Sequence, residues 1–243
     1  MPRFFKSMSV PAAVGDAILI EGQDAVHLQK SLRLRVGEAV LVCDGRSTEY
    51  DTVITAFDGE GAHLQVTAVR PSQAEPTLKL TLYQGLPKSD KLEWIIQKAV
   101  ELGVTQIVPV EMRRSIAKMG DKADKKAKRW QTIADEAASQ SGRGILPTVH
   151  APVRFCDILP MLEGVPSVVC YEGGGEPFTT LIAPDQTQLA LIIGPEGGIA
   201  PEEIEALFAV GVKAATLGPR ILRCETAPVA AIAAAMALSG NWT

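Results

Sequence analysis

A chain of 243 residues, 47% hydrophobic and 21% charged, has the composition of an ordinary globular protein with room for one large or two modest domains. Its formal net charge of -4 excludes a general attraction to nucleic acid, so any RNA-binding face must be local. The cysteines Cys43, Cys156, Cys170 and Cys224 form no C-x-x-C pair, which argues against a metal site or a disulfide framework and fits reduced thiols in a cytoplasmic protein. The opening stretch MPRFFKSMSVPAA lacks the apolar core of a signal peptide, and the run from Ala227 to Leu238 is shorter than the ~18 residues a membrane span needs. No membrane association is expected.

Up to about Arg70 the runs AILI, AVLVCDG, EYDTVITAF and AHLQVTAVR alternate with glycine and aspartate turns, which predicts a small β-rich domain over residues 1–72. A helical segment, AVHLQKSLRLR, interrupts it and carries Lys30, Arg33 and Arg35. The prolines of PSQAEP mark a linker. Residues 77–243 then have a different rhythm. The strand LKLTLYQGL precedes KLEWIIQKAVELG, where Leu92, Ile95, Ile96, Ala99 and Leu102 share a helical face and Gly103 supplies a stop. QIVPVEM, KKAKRWQTIADEAASQSG, SVVCYE, LALIIG, PEEIEALFAVG, AATLG and an alanine-rich helix continue the alternation. That is the pattern of an α/β domain, a parallel sheet covered by helices, whose ligands sit beyond the carboxyl ends of the strands.

Three strand ends carry unusual sequence: YEGGGEP, GPEGG and LGPRILRCETAP. Each alone reads as a tight turn, but three in adjacent parallel units point to a shared pocket. A glycine turn entering a helix is a natural phosphate cradle. Here Glu196 lies in the turn and Glu202 and Glu203 open the helix, so the ligand is not expected to be an anion. The chain also lacks G-x-G-x-x-G after a strand and G-x-x-x-x-G-K-[ST]. S-adenosylmethionine, free of phosphate and bearing a sulfonium cation, suits such a turn better.

GPEGG followed by a helix, then LGPRILRCETA leading into an alanine-rich helix, resembles the SPOUT methyltransferases, and in particular the RsmE family, which methylates N3 of a uridine in small-subunit (16S) ribosomal RNA. The resemblance extends to PRFF, HLQKSLRLRVGE, KSDKLEWIIQKAVELGV and RWQTIADEAASQSGR. It implies an N-terminal PUA-like β-barrel, a C-terminal SPOUT domain with a deep trefoil knot, and a homodimer acting on 16S RNA or the assembled small subunit. S-adenosylmethionine would lie across three loops that match Tyr171, Glu172, Ile193, Gly194, Glu196, Gly197, Gly198, Leu217, Gly218, Ile221, Leu222 and Arg223. Two positions depart from the pattern: Ala200 stands where a helix-capping Ser or Thr is usual, and Ser139 where a glutamate precedes QSGR.

Uracil N3 is a poor nucleophile until its proton leaves, so positive charge near the uracil oxygens lowers the barrier. Arg220 and Arg223 are the candidates, with Glu225 as a third catalytic position; an ion pair of the arginines with Glu225 is the structural alternative. Glu196, Glu225 and solvent all stand as proton acceptors, and Cys224 reads as a packed thiol rather than a nucleophile. For RNA, the dense segment MRRSIAKMGDKADKKAKRW offers Arg113, Arg114, Lys118, Lys122, Lys125, Lys126, Lys128 and Arg129, although a solvated helix has the same composition. Arg3, Lys30, Arg33 and Lys88 are expected to add contacts from the barrel side, and Arg143 of QSGR joins the RNA set. Other readings are ribose 2′-O methylation, weakened by the absence of an asparagine-rich final motif, and a non-catalytic ribosome assembly factor.

Overall fold

The computed structural model describes residues 1–88, 90–120 and 123–242. It divides into two compact units, one formed by Met1–Glu75 with Ala138–Leu146 and the other by Pro76–Ala137 with Pro147–Thr243.

The first unit holds β1 (Arg3–Phe5), β2 (Ala17–Ile20), a short helix α1 (Gly22–Val26) continuing into a π-helical turn at His27–Ser31, then β3 (Ala39–Cys43), β4 (Thr48–Phe57) and β5 (Ala62–Pro71). One five-stranded sheet results, in the order β1-β3-β4-β5-β2. Alternation along the strands sends Ile18, Ile20, Val40, Val42, Tyr50, Ile54, Leu64 and Val66 to one core, which Leu28 closes from the helical side. The segment read as a linker also has a structural task. The Glu75 carboxylate accepts from Arg143 Nη2 at 2.8 Å and from the backbone N–H groups of Gly144 and Ile145 at 2.8 and 3.0 Å.

The second unit carries β6 (Lys79–Gly85), α2 (Lys91–Glu101), β7 (Gln106–Glu111), α3 (Ala123–Gln140), β8 (Thr148–Val149), β9 (Val153–Arg154), α4 (Phe155–Leu162), β10 (Ser167–Cys170), β11 (Glu176–Pro177), β12 (Gln188–Ile193), α5 (Pro201–Ala209), β13 (Lys213–Thr216) and α6 (Thr226–Leu238). Its strands run β11-β13-β10-β12-β6-β7-β8, with β9 beside β7, and every pairing is parallel. Leu92, Ile95, Ile96 and Ala99 are buried as the helical spacing of α2 predicts, and Val100 joins them. The short β8, β9 and β11 and the helix α4 had no counterpart in the sequence reading. Their apolar runs are too brief to show a period.

The end of α3 redirects the chain. Gly142, at φ +76°, donates to Ser139 O, and Arg143 N–H donates back to Ala138 O at 2.9 Å. This left-handed glycine stop satisfies the last helical carbonyls. It also turns Arg143 inward, where its side chain is 2% exposed against Glu75.

Candidate active site

Register in the parallel sheet builds the site. Cys170 of β10 lies opposite Ile193 of β12 and Ala215 of β13, and Ile193 lies opposite Gln84 of β6. The carboxyl ends of these strands are therefore level, and the loops that follow β10, β12 and β13 emerge side by side. Together they line one cavity of about 710 Å³, within the usual range for a small-molecule site. All of Tyr171, Glu172, Ile193, Gly194, Glu196, Gly197, Gly198, Leu217, Gly218, Ile221, Leu222 and Arg223 face it, as do Arg220 and Glu225. Lys91, Cys224 and Thr216 line it too.

Close backbone approach explains the glycines of GPEGG. A Cβ built on Gly85, at the end of β6, would stand 2.6 Å from Pro195 Cδ, so the turn lies directly on the strand end. Gly198 has φ +72°, and a Cβ there would fall 2.1 Å from Glu172 Oε1, so its missing side chain makes room for that carboxylate. The turn closes through Gly198 N–H to Pro195 O at 2.9 Å. Arg114 Nη1 reaches Gly197 O at 3.2 Å and Ile199 O at 3.4 Å, binding the segment after β7 to the turn.

The start of α5 shows how the chain manages without a capping hydroxyl at Ala200. Glu203, only 5% exposed, accepts from Ala200 N–H at 3.0 Å through Oε2 and from Arg113 N–H at 2.8 Å through Oε1. This is the glutamate half of a capping box, with Pro201 at the first helical position.

Charge in the cavity is arranged around Lys91, which sequence reading left out. Its ammonium lies 3.1 Å from Glu196 Oε1 and 3.1 Å from Glu225 Oε2. The bonds to Glu225 and Glu196 raise the Lys91 pKa. Burial works against ionisation of Glu196, but its own and the Lys88 backbone N–H and the Lys91 ammonium prevail and hold it below the usual carboxylate range. Glu225 is likewise held low: burial is outweighed by the Cys224 thiol, its own backbone N–H and Lys91. Burial pushes the Cys224 thiol up to about 12, with Glu225 adding to it, so this group is not a thiolate nucleophile at neutral pH.

Glu225 therefore pairs with Lys91, not with an arginine. The guanidinium groups of Arg220 and Arg223 are exposed at the cavity and have no hydrogen-bond or ion-pair partner among the described residues.

The expected RNA-contacting residues fall into three groups. Arg3 and Arg143 are bonded to carboxylates: Arg3, its side chain 15% exposed, donates from Nη1 to Glu49 at 2.9 Å and to Arg143 O, while Arg143 is enclosed with Glu75. Arg113 and Arg129 are exposed but paired with Glu202 and Glu93, and Arg114 holds the glycine turn. Lys30, Arg33, Lys88, Lys125, Lys126 and Lys128 have exposed cationic groups without partners among the described residues. Lys122 lies outside those residues.

Residues 73–236 match the RNA methyltransferase domain family and residues 20–67 match the RNA methyltransferase PUA domain, which places fold and site in the RNA methyltransferase class. No helix among the described residues is long and apolar enough to cross a membrane. The chain belongs to the ribosomal RNA small subunit methyltransferase E family. It is 35% identical over 224 residues to ribosomal RNA small subunit methyltransferase E of Bacillus subtilis, with 88% of each chain covered. The identity is 31% over 235 residues to the same protein of Mycobacterium bovis, covering 94% of this chain and 89% of that one. A crystal structure of a ribosomal RNA small subunit methyltransferase E from Neisseria gonorrhoeae bound to S-adenosyl methionine matches with a TM-score of 0.88 at 32% identity over 100% of both chains.

Proposed function

We propose that this chain methylates N3 of a uridine in small-subunit ribosomal RNA, with S-adenosylmethionine bound across the loops after β10, β12 and β13. The observation that carries the reading is the single cavity formed by those loops, in which two guanidinium groups without partners among the described residues line the same wall as a lysine-bridged pair of carboxylates. The residues fit such a donor. Ile193, Leu217 and Leu222 offer apolar wall, and Glu172, whose carboxylate is bonded to no cation among the described residues, can face a cationic group. When bound, the donor supplies an electrophilic methyl group on a sulfonium.

The chain's own residues have to hold an unpaired uracil in line with that methyl and stabilise the ring as N3 loses its proton. Arg220 and Arg223 do the latter, since a guanidinium gains most when the ring becomes anionic. A carboxylate held below its usual range is a weak base, so Glu225 fixes the loop through Lys91, and the proton leaves to solvent at the exposed mouth beside Arg220 and Arg223. RNA phosphates are held by Lys125, Lys126 and Lys128 in the second unit and by Lys30 and Arg33 in the first. A homodimer with a knotted second unit completes the reading, and exposed Trp94, Phe208 and Ile221 provide apolar surface for a second copy. Radiolabelled methyl transfer to small-subunit ribosomal RNA and to isolated subunits tests the proposal, which fails if neither accepts label.

A further inference from the structure

Lys91 opens α2, an element that supplies no other residue to the cavity wall. Its ammonium nevertheless touches two of the three cavity loops: Glu196 belongs to the GPEGG turn and Glu225 to the segment that leads into α6. The same nitrogen lies 3.9 Å from Cys224 Sγ. Glu196 is further tied to the loop before α2 through Lys88 N–H at 3.1 Å. One cation thus stands between two carboxylates from separate loops. Without it the two carboxylates, each 3.1 Å from that one nitrogen, are left close together and repel, and no other cation among the described residues is bonded to either side chain.

The Lys91 side chain is 34% exposed, and half-open ion pairs contribute little to the stability of a whole fold. Its consequence belongs to the site. We propose that Lys91 is a positioning residue for methyl transfer, its ammonium tying the GPEGG turn to the Cys224–Glu225 segment so that the two cavity walls keep the spacing that the methyl donor requires. This rests on reading the cavity as the donor site.

The test uses the full chain as parent, Lys91→Met, Lys91→Arg and Lys91→Met/Glu225→Gln, with S-adenosylmethionine affinity measured by calorimetry. Lys91→Met should stay folded and bind about tenfold more weakly, the scale of one lost charge-assisted hydrogen bond. Removing the Glu225 charge in that background abolishes the repulsion but does not restore the tie, so the double variant should recover part of the affinity and stay weaker than parent. Lys91→Arg, which keeps a cation in place, should bind more tightly than Lys91→Met. In single-turnover transfer at saturating donor and RNA, Lys91→Met should lose less in rate than in affinity. Parent-like affinity in Lys91→Met, or no recovery on adding Glu225→Gln, overturns the proposal. A parent that binds no S-adenosylmethionine at all removes the donor-site reading itself, a distinct failure.

Discussion

Replacing Gly198 by alanine separates two effects that the geometry predicts together. Gly198 sits at φ +72°, where an L-residue costs about 1–2 kcal/mol. For a chain of this size each kcal/mol moves Tm by roughly 2–4 °C, so Gly198→Ala should lower it by about 2–8 °C. The new Cβ would also stand 2.1 Å from Glu172 Oε1. That oxygen ends an exposed, flexible side chain, so the clash is relieved by swinging the carboxylate out of the cavity wall, at little cost to folding. The backbone strain should therefore be the same whether or not Glu172 is present, whereas the cofactor effect should pass through it. Thermal unfolding and calorimetric titration with S-adenosylmethionine of Gly198→Ala, Glu172→Ala and the double variant form the cycle. The Tm loss should persist in the double variant, and its loss of affinity should not exceed that of Glu172→Ala. An unchanged Tm in Gly198→Ala, or fully additive affinity losses, refutes the reasoning.

Arg223→Ala should lower single-turnover kcat by about 10²–10³ at saturating donor and RNA, the usual cost of one lost anion-stabilising donor, with little change in Tm because the guanidinium leaves no partner behind. Arg220→Ala should fall in the same direction; a normal rate in both variants removes them from the chemistry. Reversing Lys125, Lys126 and Lys128 to Glu should weaken RNA binding and flatten its salt dependence while leaving donor affinity unchanged, and filter binding across a salt series reads that slope. Acid should weaken the Lys91 cluster from the carboxylate side. The folded pKa values of Glu196 and Glu225 lie below the ordinary 4.5, so their contribution is present above that pH and is lost as pH falls through the folded values. Lys91, raised above 10.5, keeps its contribution below that pH and loses it only in stronger base. The ratio of S-adenosylmethionine affinities between parent and Lys91→Met should therefore be level from about pH 5 to 9 and shrink in more acidic buffer, as calorimetric titration across pH can follow.

The three cavity loops were legible because glycine reports a local requirement. In the loops after β10 and β12, Gly175, Gly194 and Gly198 each stand where a Cβ would strike a neighbour, and GPEGG shows two of those positions within five residues; in the loop after β13 Gly218 sits at φ +103°. Periodicity was equally local, so β6, α2 and β12 fell where apolar spacing put them, and α6 was read from its alanine-rich composition. What escaped was pairing across the chain. Lys91 and Cys224 are 133 positions apart and Glu75 and Arg143 are 68 apart, so nothing in either neighbourhood announces the partner. A lysine that bridges two loops and a lysine on a solvated helix look alike in sequence. For the same reason nothing in sequence near Arg3 or Arg143 announces the carboxylates they bond, Glu49 and Glu75.

The position of the transferred methyl group tests the central claim most directly. Small-subunit ribosomal RNA incubated with the chain and methyl-labelled S-adenosylmethionine, then digested to nucleosides and resolved by mass spectrometry, should carry the label in 3-methyluridine, with the signal greatly reduced in Arg223→Ala. Label in 2′-O-methyluridine, in another nucleoside, or in none would contradict the assignment.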